Sequence, residues 1–438
     1  MLAIVGATVV ELEPARVLRA DVVVEGDRIV QVGGDVADGV TKVFAGGCVV
    51  LPAFAVGHTH LYSALACGMP PPRLSPTSFL EILERVWWRL DKALDDETVH
   101  VSALVGAVAA ARMGAAFVVD HHASPNAIDG SLDRIASALD IVGVRGALCY
   151  ETSDRDGPER RDAGLRENER FLARRQSGET HHGALVGAHA PFTLEDGTLD
   201  ALKDLARRSG AGLHVHVAED ETDGADAQKR GQDLAARLER LGADRPGSIV
   251  AHAVHLPGPS IDALTRAGAW VVTNARSNMN NAVGLSRAAG PRVALGTDGI
   301  GADMIAEAQA HFFRHAEAKD GLAGLAVARL AASQALARLL GGDARRGAVP
   351  AEERAPRVAP GERADLAILA YDPATPLTEA NLAGHVLFGW SSALVRDTMV
   401  GGRFVLRDRV IQTLDEAALL AKARVLAKRL WERMDANP

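Results

Sequence analysis

The side chains able to do chemistry fall in short groups. Gly57-His58-Thr59-His60 closes an apolar run. A second run, Leu213-His214-Val215-His216-Val217-Ala218-Glu219, repeats the i, i+2 histidines and adds a carboxylate three residues after His216. A third run ends Val250-Ala251-His252, and a fourth ends Gly296-Thr297-Asp298. On a strand, residues i and i+2 share a face, so both imidazoles of a pair can reach one metal ion. His-x-His alone is only modestly specific, and a pair of packed histidines is the bland explanation. Four such ends together are hard to explain as packing, because ionisable groups closing apolar strands cost free energy unless paired or metal-bound. Neutral imidazoles with one carboxylate make an open site for Zn²⁺ or a similar divalent ion. Such an ion lowers the pKa of a bound water toward neutrality, and a nearby carboxylate can carry protons to a leaving nitrogen. Metal-assisted hydrolysis is the chemistry that these residue types support.

These residues must be positioned by strands. Eight short apolar runs, at 50–60, 117–122, 144–152, 185–193, 212–219, 249–254, 270–274 and 293–298, alternate with amphipathic stretches such as 131–139, 199–208 and 234–241. Alternating βα units predict an α/β fold with a parallel sheet, and eight of them fit a (β/α)₈ TIM barrel, whose chemistry sits at the C-terminal strand ends. No G-x-G-x-x-G follows a strand and no Walker-type motif occurs, which counts against nucleotide-cradling folds. Strand and turn signals also crowd both ends of the chain. The turn Gly26-Asp27 divides 21–25 from 28–32, and Gly401-Gly402 divides 398–400 from 403–406. We expect both termini (1–55 and 355–438) to form one small β-sandwich domain around a 56–354 barrel, with a helix over 416–434 packing across that sheet.

Composition narrows the class. The 438 residues hold 48 Lys+Arg and 56 Asp+Glu, a net charge of −8 with no basic stripe, so nucleic acid is not an expected partner. A hydrophobic fraction of 47% argues against disorder. No apolar run has a membrane span's length, so no membrane partner is expected. Cys48, Cys67 and Cys149 are widely spaced and odd in number, giving no disulfide framework and pointing to a reduced, cytoplasmic protein. The first residues lack a basic region and cleavage site and read as mature sequence.

The set His58-Thr59-His60, His216 with Glu219, His252 and Asp298 resembles the amidohydrolase superfamily in its mononuclear, deaminase-like branch. Longer stretches are similar to the SsnA-type aminohydrolases: Trp87-Trp88-Arg89-Leu90-Asp91, Asp120-His121-His122-Ala123-Ser124-Pro125, Gly187-Ala188-His189-Ala190-Pro191-Phe192-Thr193, Asn274-Ala275-Arg276-Ser277-Asn278-Met279-Asn280-Asn281 and Leu295-Gly296-Thr297-Asp298-Gly299-Ile300-Gly301. The resemblance covers nearly the whole chain. It implies that His58, His60, His216 and Asp298 ligate the metal, that Glu219 shuttles protons, and that His252 orients the attacking water. It also implies that Asp298 takes that water's first proton. Binuclear relatives carry a bridging carboxylated lysine on the fourth strand. Here that strand carries His189 and no lysine, which implies one metal and a substrate-facing His189.

Other residues carry two readings each. One of Asp120, His121 and His122 reaches the site, and we place His122 there. Arg276, Ser277 and Asn278 either read substrate polar groups or hold their loop and support His252. We set Asn278 with His122 and His189 on the substrate side. His214 shares a face with His216 and fits a barrel-interior or supporting role better than ligation, and Trp87-Trp88 fit packing better than a lid. His311 and His315 fit a helix face.

The expected function is an aminohydrolase acting on a non-peptide C–N bond of a purine- or pteridine-like heterocycle, releasing ammonia. Ring opening of a cyclic amide and ring dechlorination are the rivals at the same site. A non-catalytic, metal-stabilised partner protein is a third. Zn²⁺ is the favoured ion, although Fe²⁺ or Mn²⁺ suits the same ligands. A homodimer is the default assembly.

Overall fold

The structure, a computed structural model, describes residues 1–341 and 354–436. Residues 342–353 of the expected barrel and the last two of the expected terminal domain lie outside the described residues. Eight strands run parallel in chain order: β1 (Phe54–Thr59), β2 (Ala115–His122), β3 (Arg145–Tyr150), β4 (Val186–Ala188), β5 (Leu213–Val217), β6 (Ile249–His252), β7 (Trp270–Thr273) and β8 (Val293–Leu295). Strands β1 to β3 share one sheet with Gly183–Ala184, and β4 to β8 form another. Single parallel bridges join these sheets on both sides, Thr152 to Ala188 and Thr59 to Asp298. Glycine permits both approaches. A Cβ on Gly57 would lie 2.6 Å from the Leu295 carbonyl oxygen, and one on Gly187 would lie 2.1 Å from that of Tyr150. Any side chain there would force the strands apart.

The apolar helix Ala323–Leu340 packs on β1 and β8. Its Ser333 hydroxyl donates to the Leu295 carbonyl at 3.0 Å and accepts from the Leu295 N–H at 2.9 Å. Length and apolarity alone would allow this helix to span a membrane, yet 56% of it is buried within the protein.

Both chain ends meet in one seven-stranded sheet, where Leu366–Leu369 pairs antiparallel with Val49–Pro52. A four-stranded sheet holds the expected hairpin, Val22–Glu25 with Arg28–Val32. Ile4, Val24 and Ile29 of this sheet share a core with Val9, Val50, Ile368 and Met399 of the other. Each such buried side chain contributes roughly 1.5–3 kcal/mol relative to exposure.

Two expectations need correction. The run 50–60 is two strands in different sheets, Val49–Pro52 and β1, with the change at Ala53. All the residues of both strands are buried, so the sequence is continuously apolar and its periodicity cannot mark the crossing. The helix Glu416–Ala436 does not lie across the terminal sheet. Its stripe of Leu419, Ala423, Leu426, Leu430 and Met434 instead meets the helices Trp88–Ala93 and Asp96–Arg112. A stripe spaced by three and four fits the groove of another helix. Trp431 Nε1 secures the contact by donating to the Leu65 carbonyl at 3.0 Å.

Candidate active site

His58, His60 and His216 converge with Asp298 at the C-terminal ends of β1, β5 and β8, their ligand-type atoms within 4.8 Å of one another. Hydrogen bonds orient the rings. His60 Nδ1 donates to the His121 carbonyl oxygen at 2.6 Å, so its Nε2 faces Asp298 Oδ1 at 2.9 Å and His216 Nε2 at 3.2 Å. His58 Nδ1 pairs with His214 Nε2 at 2.8 Å, and His58 Nε2 is buried without a hydrogen-bond partner. Burial pushes His58 down to about 3 and holds His214 and His216 well below the usual imidazole range. The neutral ring is the form that ligates a metal. At His60 burial works in the same direction, but Asp298 overrides it and raises the pKa to about 9. A positive charge is favoured between His60 and Asp298, whether proton or metal ion. The donor set therefore fits a divalent cation.

Glu219, His252 and Asp298 lie together on one flank. Backbone conformation helps aim two of them, since His252 and Asp298 have φ of 71° and 52°, a region that non-glycine residues seldom occupy and that clusters at functional sites. His252 Nε2 is 3.4 Å from Glu219 Oε2, and Glu219 Oε1 accepts from Asn281 Nδ2 at 3.0 Å. Burial pushes the Glu219 pKa up, which suits a group that must both hold and release a proton. Ser277 Oγ donates to Asp298 Oδ2.

The remaining expected residues divide. His189 lines the cleft above this cluster; burial lowers its pKa to about 4, and its Nδ1 lies 2.9 Å from Thr193 Oγ1. Asn278 sits behind it, its Oδ1 2.9 Å from His252 Nδ1. Arg276 turns away to Glu307, at 2.7 Å. His122 is fully buried, pairs with Ser124 Oγ at 2.9 Å, and is not among the cleft-lining residues. Asp120 instead accepts from the Leu61 N–H at 2.7 Å. His311 and His315 pair with Arg329 and Asp320, away from the cleft. Trp87 and Trp88 do line the cleft, on a wide π-type turn and the helix that follows it.

The cleft encloses about 700 Å³ including its open mouth, with Phe79, Trp87, Trp88 and Phe192 among its apolar walls. Sequence reasoning gave no role to its polar residues Tyr62, Asp91, Glu151, Asp220, Thr222, Asp223 and Asn281. Tyr62 follows β1, Asn281 follows the short helix after β7, and Glu151 comes directly after β3. Glu151 was the findable one, being a carboxylate at the C-terminal end of an expected strand.

Known proteins share this architecture. The chain is 28% identical over 403 residues to a 5-methylthioadenosine/S-adenosylhomocysteine deaminase of Syntrophomonas wolfei, covering 87% of each chain. It is 26% identical over 427 residues to a 5'-deoxyadenosine deaminase of Methanosarcina acetivorans, covering 95% of this chain and 94% of that one. A zinc-bound adenosine deaminase from Xanthomonas campestris superposes with a TM-score of 0.80 at 23% identity, over 98% of both chains. A zinc complex of an atrazine chlorohydrolase from Arthrobacter aurescens gives 0.78 at 19% identity, over 98% of this chain and all of that one. Such likeness in structure, with the strand order above, makes the fold TIM-barrel-like. The Amidohydrolase family profile matches residues 49–405, more than three quarters of the sequence, and the chain belongs to that family.

Proposed function

We propose that this chain is a mononuclear metal-dependent aminohydrolase that removes an amino group from a purine-like heterocycle as ammonia. It is a hydrolase of C–N bonds other than peptide bonds, like the deaminases to which it is similar over most of its length. The observation that carries the reading is the convergence of His58, His60, His216 and Asp298 beside Glu219 and His252. A structural metal would need no carboxylate with a raised proton affinity at its side.

In this reading His58, His60, His216 and Asp298 hold the ion, with zinc favoured because the structural neighbours carry it. When bound, the ion supplies a water acidified toward neutral pH. Glu219 in its protonated form gives its proton to the ring nitrogen beside the attacked carbon. Asp298 accepts a proton from the attacking water, and His252, held by Asn278, orients that water. Glu219 then relays the proton of the newly added hydroxyl to the amino group, which leaves as ammonia as the C–N bond breaks, and the proton held by Asp298 returns to Glu219. His189 and the aromatic walls hold the flat ring.

The proposal extends to the frame. Eight strands close as a barrel through the Thr59–Asp298 and Thr152–Ala188 bridges. The residues on either side of it, 1–55 and 355–438, make a composite β-sandwich, although the final helix serves the barrel. The enzyme is soluble and cytoplasmic, takes a small molecule and no nucleic acid, and pairs as a homodimer.

The test is a screen of zinc-loaded protein for ammonia release from aminopurines and aminopteridines, with products identified by mass. Ammonia with an oxo product is expected. A ring-opened product, chloride release from a chlorinated ring, or zinc binding without turnover would each replace this reading.

A further inference from the structure

Glu151 lines the cleft with a side chain only 3% exposed. Its two oxygens face His121 Nδ1 at 3.4 Å and His189 Nε2 at 3.5 Å, both long for a hydrogen bond. As neutral imidazoles whose other nitrogen holds the hydrogen, neither ring donates from the nitrogen that faces Glu151. His121 commits its Nε2–H to the His214 carbonyl oxygen at 3.1 Å, and its Nδ1 is buried without a hydrogen-bond partner. At His189, the Thr193 hydroxyl donates to the Ala190 carbonyl at 2.9 Å, so it accepts from Nδ1–H and leaves Nε2 bare. No other described residue donates to the Glu151 carboxylate. Burial disfavours this carboxylate, but His189, His121 and Arg155 hold its pKa well below the usual range, and its hydrogen-bond donors come from what enters the cleft, water or ligand.

Two kinds of ligand could meet it, a second metal ion or N–H groups of the substrate. Two candidate ligand groupings containing Glu151 borrow His60 or His216, both of which face the first site. The substrate is therefore the better donor. The rest of the cleft agrees. Asp91, Glu151, Glu219, Asp220, Asp223 and Asp298 line it, while no described lysine or arginine does. The nearby Arg155 pairs through Nη2 with Asp91, holds Nε 3.3 Å from Asp156, and lies over the Trp88 ring at 5.2 Å.

We propose that Glu151 is the specificity-determining residue of this enzyme, accepting N–H donors other than the departing amino group, so that the substrate is a donor-rich, neutral or cationic heterocycle without phosphate or carboxylate. A lactam N–H or a second amino group meets the requirement, whereas an adenine-type ring offers the pyrimidine side only the amino group that leaves. The inference rests on the aminohydrolase reading and narrows it.

The experiment compares kcat/KM of the zinc-loaded enzyme for guanine and pterin, which carry extra donors, with adenine and guanosine 5'-monophosphate. Guanine or pterin should exceed adenine, and the monophosphate should fall below guanine, each by at least about tenfold, the worth of one charged hydrogen bond. Glu151→Gln should shrink the guanine-to-adenine or pterin-to-adenine ratio by at least about tenfold, largely through KM, and Glu151→Asp should restore part of it. One zinc per chain and an unchanged thermal midpoint in both variants exclude a merely structural role. Equal turnover of adenine, a ratio unaltered in Glu151→Gln, or two metal ions per chain falling to one in that variant would overturn the inference and leave deamination standing. Ammonia from none of these rings would remove both.

Discussion

The Nδ1 of His60 donates to the backbone carbonyl of His121 across 2.6 Å, and this bond fixes which nitrogen faces Asp298. With Nδ1–H committed, Nε2 meets Asp298 Oδ1 at 2.9 Å, and only a proton or a metal ion makes that approach favourable. Asp298 holds the His60 pKa at about 9, so at neutral pH a binding metal ion must displace a proton. Calorimetry in buffers of different ionisation heat should find about one proton released per zinc ion, with affinity falling about tenfold per pH unit below 9. Zinc affinity independent of pH between 6 and 8 would contradict this.

His214 touches no substrate, yet its Nε2 lies 2.8 Å from His58 Nδ1 and fixes that ring. Replacing such a supporting partner typically weakens metal binding by about 10–100-fold. Competition with a chromogenic chelator should show this loss in His214→Asn, with zinc still bound at saturating concentration.

Asn278 holds His252 at 2.9 Å from behind the site. Asn278→Ala should lower kcat by about 10–100-fold while zinc content and KM stay close to those of the parent. Steady-state kinetics with metal analysis checks it; a change confined to KM would instead make Asn278 a substrate contact.

Asp120 predicts a pH dependence of stability. Burial raises its pKa to about 7, one oxygen accepts from the Leu61 N–H, and the other has no partner. A carboxyl whose folded pKa lies above its unfolded value, about 3.9, stabilises the protein fully below the unfolded pKa. That contribution is lost as pH rises through 7. Asp120→Asn keeps the acceptor and removes the titration, so its thermal midpoint should gain on the parent between pH 5 and 8. A gap that does not change with pH would refute the assignment.

Much of the site was legible because strand geometry is local. His58-Thr59-His60 and His214-Val215-His216 announce a shared face by their spacing. What the sequence hid depends on tertiary packing. Glu151 is one residue past β3, but its lack of donors follows from how His214 and Thr193 engage its neighbours. His122 and Asn278 carry ligand-type side chains beside the site, yet His122, the last residue of β2, and Asn278, on the short helix after β7, both stay out of the cleft lining. Trp87-Trp88 sit on a helical stretch whose register toward the cleft depends on a π-type turn, invisible to a 3.6-residue period.

The most direct test of the central claim is ammonia release by Glu219→Gln, with zinc measured in the same sample. Glu219 lies 3.4 Å from His252 Nε2 and is not one of the four grouped ligand residues, so the variant should keep one zinc ion per chain. Its ammonia release should fall by about 10²–10⁴-fold, the usual worth of a positioned proton carrier. Retained zinc with undiminished ammonia release would contradict the account.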